Sequence, residues 1–283
     1  MPPVPIYLRM YNTLKTVLLL GMMTSVFLLV GRMLGGDRGM AIALVFATGS
    51  NLISWWFSDR IVLAMHRAKE ATPESAPRLT GIVTELARRA DLPMPRVFVI
   101  PQPAPNAFAT GRGPRHAAVA VTEGLLRTMD DEQISAVIAH ELGHVARRDT
   151  LTMAVAASMA GALSMLAQMA RFSMIFGDSR QRRENGLGML VAMLVAPIAA
   201  LLIQLAISRS REYAADAYSS KIMGSPQPLI RALRSLESGL QQIPSQTPNP
   251  AVAHMYIMSP NDIFGIFRTH PSTEDRIARL LAG

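Results

Sequence analysis

The 283-residue chain contains no cysteine, which excludes disulfides and any thiolate-held metal or cluster. Charge is scarce. Asp, Glu, Lys and Arg make up 17% of the residues, against about 25% in soluble globular chains. Half of the residues are hydrophobic, so the deficit points to a membrane. Aromatic residues amount to 6%, and none of them interleaves with a basic stripe. Despite a net charge of +8, the pattern therefore speaks against nucleic-acid binding. The Arg and Lys residues instead flank apolar runs, where anionic lipid and the positive-inside bias favour them. Internal repeats and low-complexity tracts are absent as well.

What is present, first of all, is long apolar sequence. Residues 16–31, 39–57, 150–170 and 186–208 are uncharged, and a helix needs about 20 residues to cross the hydrocarbon core. Trp55 and Trp56 stand where an interfacial aromatic belt would lie. The first run follows Arg9 and Lys15 as a signal peptide would, but no small-residue cleavage site follows and a second run starts at once, so it reads as a retained anchor. Gly35, Gly36 and Asp37 make a tight turn between the first two runs, giving a helical hairpin. Four crossings place both polar segments on one side. Lys and Arg near the span ends are more numerous on that side, which orients it toward the cytoplasm.

The polar segments carry shorter signals. Residues 77–90 have Leu79, Ile82, Val83 and Leu86 on one helical face. Residues 96–100, 106–110 and 117–122 read as strands of a small sheet. Such a sheet is either scaffold or an edge to which an extended peptide adds by backbone pairing. Asp130, Asp131 and Glu132 open the next helix, as the macrodipole prefers, and Ile134, Val137, Ile138, Leu142 and Val145 form its apolar face. This helix is expected to run through Asp149 into the third span. Further helices are expected over 226–242 and 274–281.

His140-Glu141-Leu142-Gly143-His144 on that helix is the decisive pattern. Residues i and i+4 share a helix face, so both imidazoles can reach one ion, and the intervening Glu141 can take a proton from water beside it. A catalytic zinc keeps three protein ligands and one open position. Without cysteine, the third ligand must be His, Glu or Asp on another element. Glu212 and Asp216, again i and i+4, are the best candidates: Glu212 to ligate, Asp216 to accept the second N–H of a ligating histidine. Spans of 21 and 23 residues are equal legs of about 30–35 Å, an out-and-back path that can return Glu212 to the height of His144. The rival readings are a site within the bilayer, against which Arg147-Arg148-Asp149 argues, and a non-enzymatic scaffold with a closed zinc site.

These motifs resemble the HtpX-type heat-shock membrane metalloproteases, relatives of the CAAX prenyl endopeptidases in the gluzincin group. The resemblance covers essentially the whole chain: Asn12-Thr13-Leu14-Lys15-Thr16, Gly35-Gly36, Asn51 and Trp56-Phe57-Ser58-Asp59 in the anchor, Val121-Thr122-Glu123-Gly124-Leu125-Leu126 before the His-Glu motif, and Thr269-His270-Pro271 with Arg276-Ile277 near the end. It implies an ATP-independent zinc endopeptidase of the inner membrane, one Zn2+ per chain, acting on unfolded or damaged membrane proteins. It further implies that Asn106, Ala107, Phe108 and Ala109 form the strand along which substrate lies, and that His270 donates to the oxyanion. The expected fold is mainly α with a small β-sheet, a helical membrane anchor of four apolar spans joined to a zincin-like catalytic domain. Its expected division is 1–57 (first membrane hairpin), 58–149 (zinc helix), 150–208 (second hairpin) and 209–283 (third ligand).

Overall fold

The computed structural model describes residues 6–159, 209–242, 255, 257–258 and 271–282. The third apolar span beyond Met159, the whole fourth span, the arginine-rich loop 171–183 between them and His270 lie outside the described residues.

The described elements are α1 (Ile6–Met65), β1 (Lys69–Glu70), α2 (Pro77–Arg89), β2 (Arg96–Ile100), β3 (Ala107–Gly111), β4 (Ala117–Thr122), α3 (Glu123–Thr128) and α4 (Asp131–Arg147). They continue with α5, described over Thr150–Met159, then α6 (Arg209–Met223), α7 (Gln227–Gln242) and α8 (Thr273–Ala282). The protein is thus mostly helical with one small mixed sheet. The helices expected over 77–90, 226–242 and 274–281 are present within a residue or two of those limits.

Helical hydrogen bonding runs the length of α1, yet α1 is not straight. Asn51 Nδ2 donates to Thr24 Oγ1 at 2.9 Å and the Phe27 and Phe46 rings meet edge to face at 5.3 Å. In a straight helix residues 24 and 51 would stand about 40 Å apart. The chain doubles back at Gly36, whose φ of 58° suits glycine, and Gly31 and Gly39 lie so close that a Cβ on either would strike the other's carbonyl oxygen. The second leg, Gly36–Met65, is the one helix among the described residues long and apolar enough to cross a membrane; Thr13–Leu29 is a shorter apolar helix. Almost all the large exposed apolar side chains sit on this hairpin, among them Val45, Leu52, Ile53, Trp55 and Trp56. Helix α1 passes Phe57 and ends against the sheet, where Val62 and Leu63 are buried.

The sheet has the order β1-β2-β4-β3, with β2 and β4 parallel and the other pairs antiparallel. Every residue of β4 is buried. One face (Val97, Val119, Val121, Ala107, Ala109) packs on the core built by α2, α4 and α7. The other (Phe98, Ile100, Phe108, Ala118, Ala120) packs on the end of α1 and on Ala154 and Ala157 of α5. A sheet covered on both faces needs apolar residues at consecutive positions, hence runs such as AAVAV in place of an apolar–polar alternation.

Helix α4 opens with a reciprocal capping box between Asp130 and Gln133. It does not continue into the third span as expected. Arg148 takes a left-handed conformation, φ 59°, and α5 starts afresh at Thr150. The break is closed by the amide of Asp149 bonding back to the His144 carbonyl. Helix α5 then runs beside the first leg of the hairpin, Val155, Ala156 and Met159 packing on Leu19 and Met23.

Candidate metal centre

Helices α4 and α6 pack closely, and Gly143 permits it: a Cβ there would stand 3.2 Å from both Ala215 Cα and Tyr218 Cβ. Ser219 adds a 2.7 Å hydrogen bond to the Ala136 carbonyl. The approach brings the first turn of α6 over the buried face of α4. His140, Glu141, His144, Glu212 and Asp216 are all 5% exposed or less. Helical spacing turns the two imidazoles to one side, ring centroids 5.0 Å apart. His140 Nε2 lies 3.6 Å from one oxygen of Glu212 and His144 Nε2 lies 3.6 Å from the other.

The donor set fits a divalent ion. The three ligand atoms lie within 4.8 Å of one another, and 3.6 Å is too long for a hydrogen bond. Ligand atoms at tetrahedral angles around an ion, with bonds of about 2.1 Å, stand about 3.4 Å apart. His140 Nε2 has no hydrogen-bond partner, which a buried ring nitrogen seldom tolerates unless it ligates. His140, His144 and Glu212 could therefore hold one metal ion.

Each histidine is braced from behind. His140 Nδ1 stands 2.9 Å from Asp216 Oδ1, the relation expected for Asp216, and His144 Nδ1 stands 3.4 Å from Asp149 Oδ2. Both carboxylates leave the Nε2 atoms for a ligand. Asp216 is in turn gripped by Arg276, which donates from Nε at 2.9 Å and Nη2 at 2.6 Å. Arg276 is itself only 1% exposed and also donates to the Ile257 carbonyl at 3.0 Å.

Electrostatics follow from this packing. Burial alone would lower the His140 pKa, but Asp216 and Glu212 outweigh it and, without an ion, hold it at about 9. Burial would likewise raise the Asp216 carboxyl, but Arg276 and His140 keep it below its ordinary range. For Glu141 burial wins: its pKa is pushed up against the opposing pull of the two histidines. Glu141 Oε2 also accepts a hydrogen bond from the Ala109 N–H at 2.8 Å.

That last bond ties β3 to the site. β3 is an edge strand, and Asn106, Ala107, Phe108 and Ala109 are all buried along it. Its outer edge is partly in use: the Ile257 N–H donates to the Ala107 carbonyl at 3.2 Å and Asn106 donates to the Met258 carbonyl. The expected ligands, base, strand and Asp216 thus converge. His270 lies outside the described residues. Two contributors were missed. Asp149 follows directly on the motif helix and was a visible carboxylate five residues beyond His144. Arg276 had only its place in the C-terminal resemblance to mark it.

Residues 73–282 match peptidase family M48. The chain belongs to peptidase family M48. This M48 chain is 51% identical over 97% of its length to a protease HtpX homolog of Desulforapulum autotrophicum, covering 91% of that protein. It is 48% identical over 96% of its length to a protease HtpX homolog of Methylibium petroleiphilum, covering 98% of it. It also resembles the crystal structure of Ste24p from S. mikatae, with a TM-score of 0.52 and 20% identity over 98% of the chain. It spans 66% of that protein, a little under two thirds, and the likeness is one of fold. The M48 chain is accordingly a peptidase of the HtpX type and a metalloenzyme, with the His140–His144–Glu212 cluster as its candidate metal centre.

Proposed function

We propose that this chain is a zinc-dependent, membrane-bound endopeptidase that hydrolyses peptide bonds of misfolded or damaged membrane proteins. The observation that carries the reading is the convergence of His140 Nε2, His144 Nε2 and both oxygens of Glu212, with the Glu141 carboxylate beside them on α4. Two imidazoles and a carboxylate suit zinc, and three protein ligands leave a fourth position free. When bound, the ion supplies Lewis acidity to polarise a carbonyl and to acidify water. Glu141 acts as general base, taking a proton from the attacking water and passing it to the leaving amine. Asp216 and Asp149 fix the imidazole tautomers. Asn106, Ala107, Phe108 and Ala109 align the substrate backbone beside Glu141, an assignment supported by the Ala109 bond to that carboxylate. His270 is the proposed donor to the oxyanion, on family resemblance.

The exposed apolar hairpin supports membrane attachment. The proposed arrangement is multi-pass, with four spans in the inner membrane and the catalytic elements at its cytoplasmic surface. The packing of α5 along the first leg of the hairpin supports a third span that leaves the metal helix directly for the bilayer. A chain so placed meets unfolded segments of membrane proteins as they emerge. The test is Glu141→Gln in the purified full chain, assayed with casein and by metal analysis. Metal content should remain at wild-type level while cleavage falls by about 10²-fold or more. Cleavage at the normal rate would remove Glu141 from its role, and chelator-resistant cleavage would remove the metal.

A further inference from the structure

Where the second leg of α1 leaves its exposed apolar stretch and enters the folded domain, it borders a cavity of about 260 Å³. Exposure changes abruptly there: Leu52, Ile53 and Trp56 are at least half exposed, whereas Ser58 and Val62 are fully buried. From the turn at Gly36 to Trp56 the helix rises about 30 Å, which matches the hydrocarbon thickness of a bilayer. The cavity therefore lies at the depth of lipid headgroups, given the membrane attachment proposed above.

Its lining is cationic. Arg60 comes from α1, Arg96 from β2, Arg112 from the turn after β3 and Arg115 from the 3-10 turn before β4, with Trp56 and Phe57 as the apolar wall. The Arg112 guanidinium lies 4.1 Å from the Trp56 ring centroid and the Arg60 guanidinium 5.5 Å from that of Phe57. Asp59 is the one carboxylate in the lining, and Arg96 holds it at 3.7 Å. Among the described residues, no carboxylate pairs with Arg60, Arg112 or Arg115. Arg60, Arg112 and Arg115, drawn from separate segments into one concavity without a carboxylate partner, repel each other unless a further anion joins them. Arginine offers paired donors that match phosphate oxygens, and the aromatic wall suits the glycerol and upper acyl region.

We infer that this cavity binds the phosphodiester headgroup of an anionic phospholipid, seating the catalytic elements against the bilayer surface. Trp56 lines the cavity and Trp55, the only other tryptophan of the chain, has its ring 5.6 Å from that of Trp56, so tryptophan emission reports on the site. The full chain is inserted into phosphatidylcholine nanodiscs with rising phosphatidylglycerol content, and tryptophan emission is followed. Native mass spectrometry of retained lipids gives a readout independent of Trp56. The wild type should show a saturable emission change and retain phosphatidylglycerol. The double substitution R112Q with R115Q should weaken both at least about fivefold. R88Q with R89Q, which removes equal charge from the exposed face of α2, should behave as wild type. Circular dichroism melting of each variant separates lost binding from lost folding, and R112K with R115K should bind if the first pair fails to fold.

Equal loss in the α2 control means diffuse attraction and overturns the site. An identical saturable change from inorganic phosphate in pure phosphatidylcholine discs makes it a free-phosphate site and overturns the lipid. A chain that enters the discs but does not distinguish the two lipids overturns this inference alone. A chain that fails to enter them overturns the membrane reading and this inference together.

Discussion

Replacing Arg276 with methionine keeps the bulk of the side chain and removes three hydrogen bonds, two to Asp216 and one to the Ile257 carbonyl. Asp216 is 2% exposed, so water cannot take over, and the carboxylate is left facing only the His140 ring. Removing one partner of a buried ion pair costs about 3–5 kcal/mol. At about 2–4 °C per kcal/mol for chains approaching this size, the metal-loaded protein should melt roughly 6–20 °C lower. Asp216 Oδ1 also stands 2.9 Å from His140 Nδ1, and on the proposed role of that contact its loss should cost about 10–100-fold in metal affinity. Thermal melting with and without chelator, together with metal content at equilibrium, measures both effects. Adding Asp216→Asn to Arg276→Met removes the stranded charge, and the double variant should regain a good part of the lost stability. If Arg276→Met melts as the wild type does, or if the double variant is no more stable than the single, the buried Arg276–Asp216–His140 chain is not what holds the metal helix in place.

Two further outcomes follow from the packing and electrostatics. Gly143→Ala places a methyl 3.2 Å from Ala215 and Tyr218; overpacking of this kind costs about 1–3 kcal/mol. Because it pushes α6 away from α4, metal affinity should fall with stability in a titration, and unchanged affinity would separate helix spacing from ligand geometry. In metal-stripped protein His140 has its pKa raised from 6.5 to about 9. The stability this contributes is complete below pH 6.5 and is lost as pH rises through 9. The stripped protein should therefore melt at progressively lower temperature between these values, while the stabilisation gained from added zinc grows. A melting temperature that is flat or rises across that window would contradict the His140 environment described above.

Local patterns were legible without coordinates because their physics is local. The His140-Glu141-x-x-His144 spacing sets two rings on one helix face whatever surrounds the helix, and Glu212 with Asp216 repeats that geometry. Gly35-Gly36-Asp37 marked the hairpin turn because a sharp reversal needs a positive φ, found at Gly36. Periodicity marked α2 and α7 because each buries a single stripe. Of the lining arginines only Arg60 was visible, as charge flanking an apolar run; Arg96, Arg112 and Arg115 are scattered through the polar segment and share no local pattern.

The sequence by itself determined the chemistry on offer: two imidazoles, a carboxylate between them, an acidic pair on a second helix and long uncharged runs. Only the tertiary structure decided which carboxylates serve which rings. Asp149 reaches His144 because the helix breaks at Arg148, a left-handed residue with no glycine to announce it. Arg276 reaches Asp216 across 60 positions because α6 and α8 pack together. Helix breaks at ordinary residues and contacts between distant segments depend on the summed packing of the whole chain, and no local window contains that sum.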